Sequence, residues 1–213
     1  MEAVRQVVEF GPAAVWPLRH ALSDQNDAIR AGALLALGQL RRPALLPLLV
    51  DHLKDRRSVV RFAARRALLD FGPAALAALP PFLGSRSARI RRGVIAILRD
   101  FGAVSALLHA LDHSSPGTRA DAARALGTVG SPRATARLIA ALEADAADEV
   151  RRAAAWALLE LGDRRAIPAL TRAAGALRLH EDPLFVERLR DVLRRFPARD
   201  SRAPDIGGHD KSR

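Results

Sequence analysis

An arginine recurs at Arg30, Arg61, Arg91, Arg119 and Arg151, with gaps of 31, 30, 28 and 32 residues, and each copy opens the same local pattern. Three residues on stands a small or β-branched apolar residue (Ala33, Ala64, Val94, Ala122, Ala154). Seven on stands a leucine (Leu37, Leu68, Leu98, Leu126, Leu158), and ten on a bulky apolar residue (Leu40, Phe71, Phe101, Val129, Leu161). Offsets of three, seven and ten trace one stripe of a helix with 3.6 residues per turn. Self-similarity at a period of about 30 residues marks an array of stacked helical units. Such a chain does not close around one central core, because each unit buries its stripe only against its neighbours. The pattern therefore predicts an all-α solenoid that forms a single domain.

Each unit reads as two antiparallel helices. The first begins just before the arginine and in four copies ends at a glycine eleven residues after it (Gly72, Gly102, Gly130, Gly162), where a left-handed cap is expected. The copy from Arg30 departs, with Arg41 in that place and Gly38 three residues earlier. Second helices are expected over 44–54, 74–83, 104–111, 134–144 and 166–174. Pro168 falls in a first turn, whereas Pro80 and Pro81 come late and should kink or shorten their helix. Residues 1–196 thus divide into a partial first unit (1–23), units at about 24–54, 55–84, 85–111, 112–144 and 145–175, and a capping helix at 183–196 in which Val186 holds the arginine's place. Residues 197–213 carry few apolar groups and many turn formers, and a disordered tail is expected there. Trp16, flanked by Val15 and Leu18, reads as core.

Asp24, Asp55 and Asp145 stand six residues before Arg30, Arg61 and Arg151, while Ser85 takes that place before Arg91 and Asp112 lies seven before Arg119. An aspartate in that turn accepts amide hydrogens or the guanidinium of its own or the next unit. Aspartates and arginines are therefore expected to alternate as a structural ladder along the stack.

Composition narrows the function classes. The net charge of +11 is carried almost wholly by arginine, since Lys54 and Lys211 are the only lysines, and a basic balance favours acidic partners, nucleic acid among them. There is no cysteine, hence no disulfide framework and no thiolate chemistry. No run of about 18 uncharged apolar residues suggests a membrane span. The opening MEAVRQVVEF, with Glu2 and Glu9, lacks the apolar core and cleavage site of a secretory leader, so a cytoplasmic location is expected. His109 and His113 have the four-residue spacing of helical metal ligands but no third ligand beyond Asp112, and solvated surface histidines are the expectation. Phosphate loops, nucleophile elbows and H-E-x-x-H motifs are missing from the sequence, so neither a cofactor nor a catalytic role is expected.

The units V150-R151-R152-A153-A154-A155-W156-A157-L158-L159-E160-L161-G162 and T118-R119-A120-D121-A122-A123-R124-A125-L126-G127-T128-V129-G130 carry a motif of aspartate, five residues, then V-R-x-x-A-A-x-A-L-G-x-I-G. Over residues 1 to about 196 the chain resembles the HEAT-repeat family, in its short form of about 31 residues found in phycobilisome-lyase-like proteins. The resemblance implies a right-handed superhelix whose arginine-bearing helices line the concave surface. It exposes the positions one, two, five and nine residues after each arginine. A partner-binding face of Leu35, Phe62, Arg66, Arg92, Arg124, Arg152 and Trp156 follows, with the aromatic and arginine residues that dominate interface hot spots. The function expected is a non-catalytic scaffold for another protein with an acidic surface. Nucleic acid gripped by the same arginines, as in HEAT-like alkylpurine DNA glycosylases, is the alternative, although no catalytic aspartate matches. A phycobilin-lyase-like activity finds no support beyond the repeat itself. Deoxyhypusine hydroxylase, another relative of this fold, needs several His-Glu pairs for its metal site, and this chain has one, His180-Glu181.

Overall fold

The computed structural model describes residues 11–196, which are helical without strands. In chain order the helices are α1 (Val15–Ala21), α2 (Asp27–Gln39), α3 (Leu46–Asp51), α4 (Ser58–Asp70), α5 (Pro73–Ala78), α6 (Ala88–Asp100), α7 (Val104–Ala110), α8 (Pro116–Val129), α9 (Thr135–Ala144), α10 (Asp148–Leu161), α11 (Ile167–Ala176) and α12 (Pro183–Arg195). The even-numbered helices α2 to α10 carry the recurring arginine, the odd-numbered ones are the second helices, and α12 closes the stack. This is an all-α solenoid of helix pairs. The expectations for residues 1–10 and for the tail at 197–213 lie outside the described residues. Among the described residues no helix is long and apolar enough to cross a membrane.

Local chemistry sets the boundaries. Asn26 caps α2 by accepting the Ala28 N–H at 2.9 Å, and Asp182 caps α12 by accepting from Leu184 and Phe185. Gly72, Gly102, Gly130 and Gly162 stop their helices at φ between 61° and 73°. In the departing copy Arg41 takes the left-handed conformation itself, at φ 48°. α5 ends at Ala78 and gives way to a 3-10 turn at Pro80–Gly84, because the two prolines have no amide hydrogen to continue the α-helical ladder. The leucines seven residues after each arginine have no exposed surface. All five belong to one continuous core that runs through the stack.

Trp16 corrects the sequence reading: it is 74% exposed and stacks on His20 with ring centroids 5.8 Å apart. Val15, Leu18 and Leu22 form the i, i+3, i+7 stripe by which α1 meets the core, and Trp16 stands about 100° round the helix from Val15.

The arginine helices do not stack evenly. α2 packs along α4, and α8 along α10, in close contact, whereas α4 meets α6 over a much smaller surface. The cause is a ridge at one, four and eight residues after each arginine, which faces the next unit. In α2 it reads Ala31, Leu34, Gly38, and in α8 Ala120, Ala123, Gly127, all buried. A Cβ on Gly38 would lie 2.6 Å from the Ala67 Cβ, and one on Gly127 would lie 2.7 Å from the Ala157 Cα. The backbones approach that closely because the glycines have no side chain. In α4 the same ridge is Phe62, Arg65, Leu69, and in α6 it is Arg92, Ile95, Arg99. Large side chains at both ends hold these junctions apart.

Candidate docking groove

Each recurring arginine is first a structural peg. Its Nη1 donates to the backbone carbonyl six residues earlier in all five units: Arg30 to Asp24 (2.9 Å), Arg61 to Asp55 (2.9 Å), Arg91 to Ser85 (2.7 Å), Arg119 to His113 (2.9 Å) and Arg151 to Asp145 (2.7 Å). The side chain at that earlier position turns back to accept an amide hydrogen two residues on, as at Asp24, Asp55, Ser85 and Asp145. In the unit of Arg119 this place belongs to His113, whose Nδ1 accepts the Ser115 N–H at 2.9 Å. Asp112 is instead paired with Arg137. The imidazole does the work of the aspartate, a role the sequence reading gave to neither His113 nor its spacing.

The carboxylates reach backwards across the unit boundary rather than to the arginine that follows them. Asp145 accepts Arg119 through both oxygens, at 2.7 and 2.8 Å, and Asp55 lies 3.4 Å from Arg30, which also holds Asp27 at 2.8 Å. The Arg119 guanidinium holds the Asp145 carboxyl below the ordinary carboxylate range, against the opposing effect of burial. At Asp55 burial opposes ionisation, but the Arg57 amide and the Arg30 guanidinium outweigh it and the pKa is again lowered. Arg91 finds the hydroxyls of Thr118 (2.8 Å) and Ser115 (3.4 Å), and Arg151 pairs with its own Asp148. Arg61 differs from the other four: its hydrogen bonds go only to the carbonyls of Asp55 and Arg56, and no side chain accepts from it among the described residues. The position that would supply the acid is Ser85, and the position three before Arg61, where α2 has Asp27, is Ser58. A further rung joins α9 to the turn that precedes α11, where the buried Thr135 hydroxyl donates to Asp163 at 2.9 Å. Arg165 holds that carboxyl far below its usual range.

Arg61 faces the open α4–α6 junction. There a groove of about 380 Å³ is lined by Leu53, Arg61, Phe62, Arg65, Arg89, Arg92, Gly93 and Ala96. Phe62 is 67% exposed. Arg65 is matched by Asp100, with Nε 2.8 Å from its Oδ2. Arg89 and Arg92 reach only backbone carbonyls, of Lys54 and Ala88, each at 3.5 Å. The groove therefore joins an apolar ring to three guanidiniums that no carboxylate among the described residues neutralises.

The other predicted face residues are distributed more widely. The position one after the arginine is exposed only at open junctions: Phe62, Arg92 and Arg152 are exposed, while Ala31 and Ala120 are covered by the next unit. Arg66 and Arg124 are exposed and paired with Asp70 and Asp121 on their own helices. Leu35 is half-buried against the core. Trp156 is half-buried and packs edge-on to Phe185 of α12, ring centroids 5.4 Å apart, so it ties the terminal helix to the stack as well as lining a second groove with Leu184 and Arg188. His180 Nδ1 lies 3.1 Å from the Ala174 carbonyl and Glu181 pairs with Arg178. Among the described residues no cluster of three or more histidines and carboxylates has the geometry to hold a metal.

Solved structures similar to this chain include human deoxyhypusine hydroxylase in complex with glycerol (20% identity over 91% of this chain and 88% of that one, TM-score 0.39). They include E. coli YibA (19% identity, 91% and 82%, TM-score 0.47) and the CpcE–CpcF complex of phycocyanin lyase from a Nostoc species (21% identity, 91% and 88%, TM-score 0.37). No curated protein matches the chain. The family model for HEAT repeats matches residues 1–69 and 104–179 and passes over 70–103, the stretch that holds the interrupted α5 and the far wall of the open junction. With most of its length matched in this way, the chain belongs to the HEAT-repeat family.

Proposed function

We propose that this chain is a non-catalytic scaffold that docks an acidic segment of another protein on the face of its arginine helices. The observation that carries the reading is Phe62, a large aromatic left two-thirds exposed between helices and ringed by arginines. A singly exposed phenylalanine is ordinary on a protein surface, but one set in a basic groove between helices has the makeup of an interface hot spot. Stacked helices lose little conformational freedom on binding, so little of the contact energy goes to ordering. The net charge of +11 adds long-range attraction for acidic surfaces.

The test compares the native chain with Phe62→Ala and Arg92→Glu as bait in host lysate. Proteins retained by the native chain and lost by both variants should share acidic segments, and retention unchanged by either substitution contradicts the reading. The nucleic-acid alternative is separated by titrating unrelated DNA and RNA duplexes at low salt. Submicromolar affinity with a steep salt dependence would favour it over the protein partner.

A further inference from the structure

We infer that the α4–α6 groove binds a peptide carboxylate set beside a bulky apolar side chain, with the carboxylate completing the arginine ladder at Arg61. This rests on the docking face proposed above and names what it holds. The chain itself supplies the precedent. At Arg119 the next unit contributes the Asp145 carboxylate, in a two-oxygen contact, and at Arg30 it contributes Asp55. At Arg61 the equivalent position is Ser85, and the guanidinium keeps its Nε and Nη2 without an acceptor among the described residues. The planar fork of arginine suits a carboxylate in that place.

Two independent features of the groove agree. Arg89 and Arg92 on α6 add positive charge that no carboxylate among the described residues neutralises, so an incoming acid is favoured over a neutral group. Phe62 and the open space over Gly93 and Ala96 give a neighbouring apolar side chain a surface to cover. The Leu53 side chain packs against Gly93, where an added Cβ would lie 3.0 Å from its Cδ1, and adds a further apolar contact to the groove. A nucleic-acid duplex would satisfy the arginines but, with its bases stacked inside, would leave Phe62 without an apolar contact. An acidic–apolar peptide satisfies both.

The experiment pans a phage-displayed library of random linear peptides on the full-length chain and titrates the selected peptides calorimetrically. The arms are the native protein, Ser85→Asp, Phe62→Ala and Arg152→Ala, each checked for native helicity. Selected peptides should pair Asp or Glu with an adjacent Leu, Ile or Phe. Ser85→Asp, which places an acid in the rung from within, should weaken them at least tenfold and raise the melting temperature. Phe62→Ala should weaken them by a similar factor, and Arg152→Ala should change the affinity less than twofold. Selection of no peptide, selection without acidic residues, or affinity indifferent to both Ser85→Asp and Phe62→Ala overturns the groove assignment. Binding of acidic peptides that is lost only in Arg152→Ala also overturns it, while leaving the scaffold reading in place. Duplex binding with no peptide selected removes both.

Discussion

The α8–α10 junction and the α4–α6 junction are built from the same repeat and end up as opposites. In the first, Ala120, Ala123 and Gly127 let two backbones meet, and Arg119 is locked onto Asp145. In the second, Phe62, Arg65 and Leu69 keep the helices apart, and Arg61 finds no acid among the described residues. The apolar stripe is buried in both, so the fold does not depend on the difference. What changes is the face between units: small residues at one and eight after the arginine produce structure, and large ones produce a surface open to a partner.

The comparison breaks most readily at the glycines. Gly→Ala inside a helix ordinarily stabilises by up to about 1 kcal/mol, which is the expectation for Gly32, where an added Cβ meets nothing within 4 Å. At Gly38 and Gly127 the same substitution drives a Cβ into a neighbouring backbone and should cost about 1–3 kcal/mol. Urea unfolding that gave all three changes the same sign would show that close approach does not define the tight junctions.

An effect within that range is expected at the ladder. Asp145→Asn should cost about 2 kcal/mol near neutral pH, the scale of hydrogen bonds to a charged group. Because the folded pKa of Asp145 lies below its unfolded value, this stabilisation is complete above the unfolded carboxylate pKa of about 4 and is lost as pH falls through the lowered folded value. The native chain and Asp145→Asn should therefore converge in stability in acid below that window. A difference that persists unchanged at pH 2 would mean that the carboxylate acts through something other than its charge.

The two aromatics of the predicted face should separate last and least. Trp156→Ala removes the edge contact to Phe185 and should lower stability by about 1–2 kcal/mol, with loss of protection in α12. Phe62→Ala should stay within about 0.5 kcal/mol, as for an exposed side chain. Equal losses in thermal unfolding would put Phe62 in the structure rather than at the partner.

Much of this was legible in the sequence, because period, stripe and glycine caps are local features that a helix must display in order. The ladder's direction was not: the side chain of Asp145 serves the arginine of the preceding unit, 26 residues back, and no local pattern tells that bond from one to Arg151. His113 escaped because only an acid was sought at that place, although its six-residue offset from Arg119 was readable. Trp16 was misplaced by its apolar neighbours when its angle from the Val15–Leu18–Leu22 stripe pointed outward. For the face, counting one residue past each arginine found Phe62, Arg92 and Arg152 but put Ala31 and Ala120 on the same exposed row, where the structure buries them at closed junctions.

Native-state hydrogen exchange on Gly127→Ala tests the two kinds of junction most directly. A chain whose units couple mainly through close-packed junctions should transmit the damage within α8 to α11 and little beyond the open α4–α6 seam. Protection should fall in α8 and α10, with α2 and α4 unchanged from the native chain. A uniform fall in protection along all four helices would contradict it.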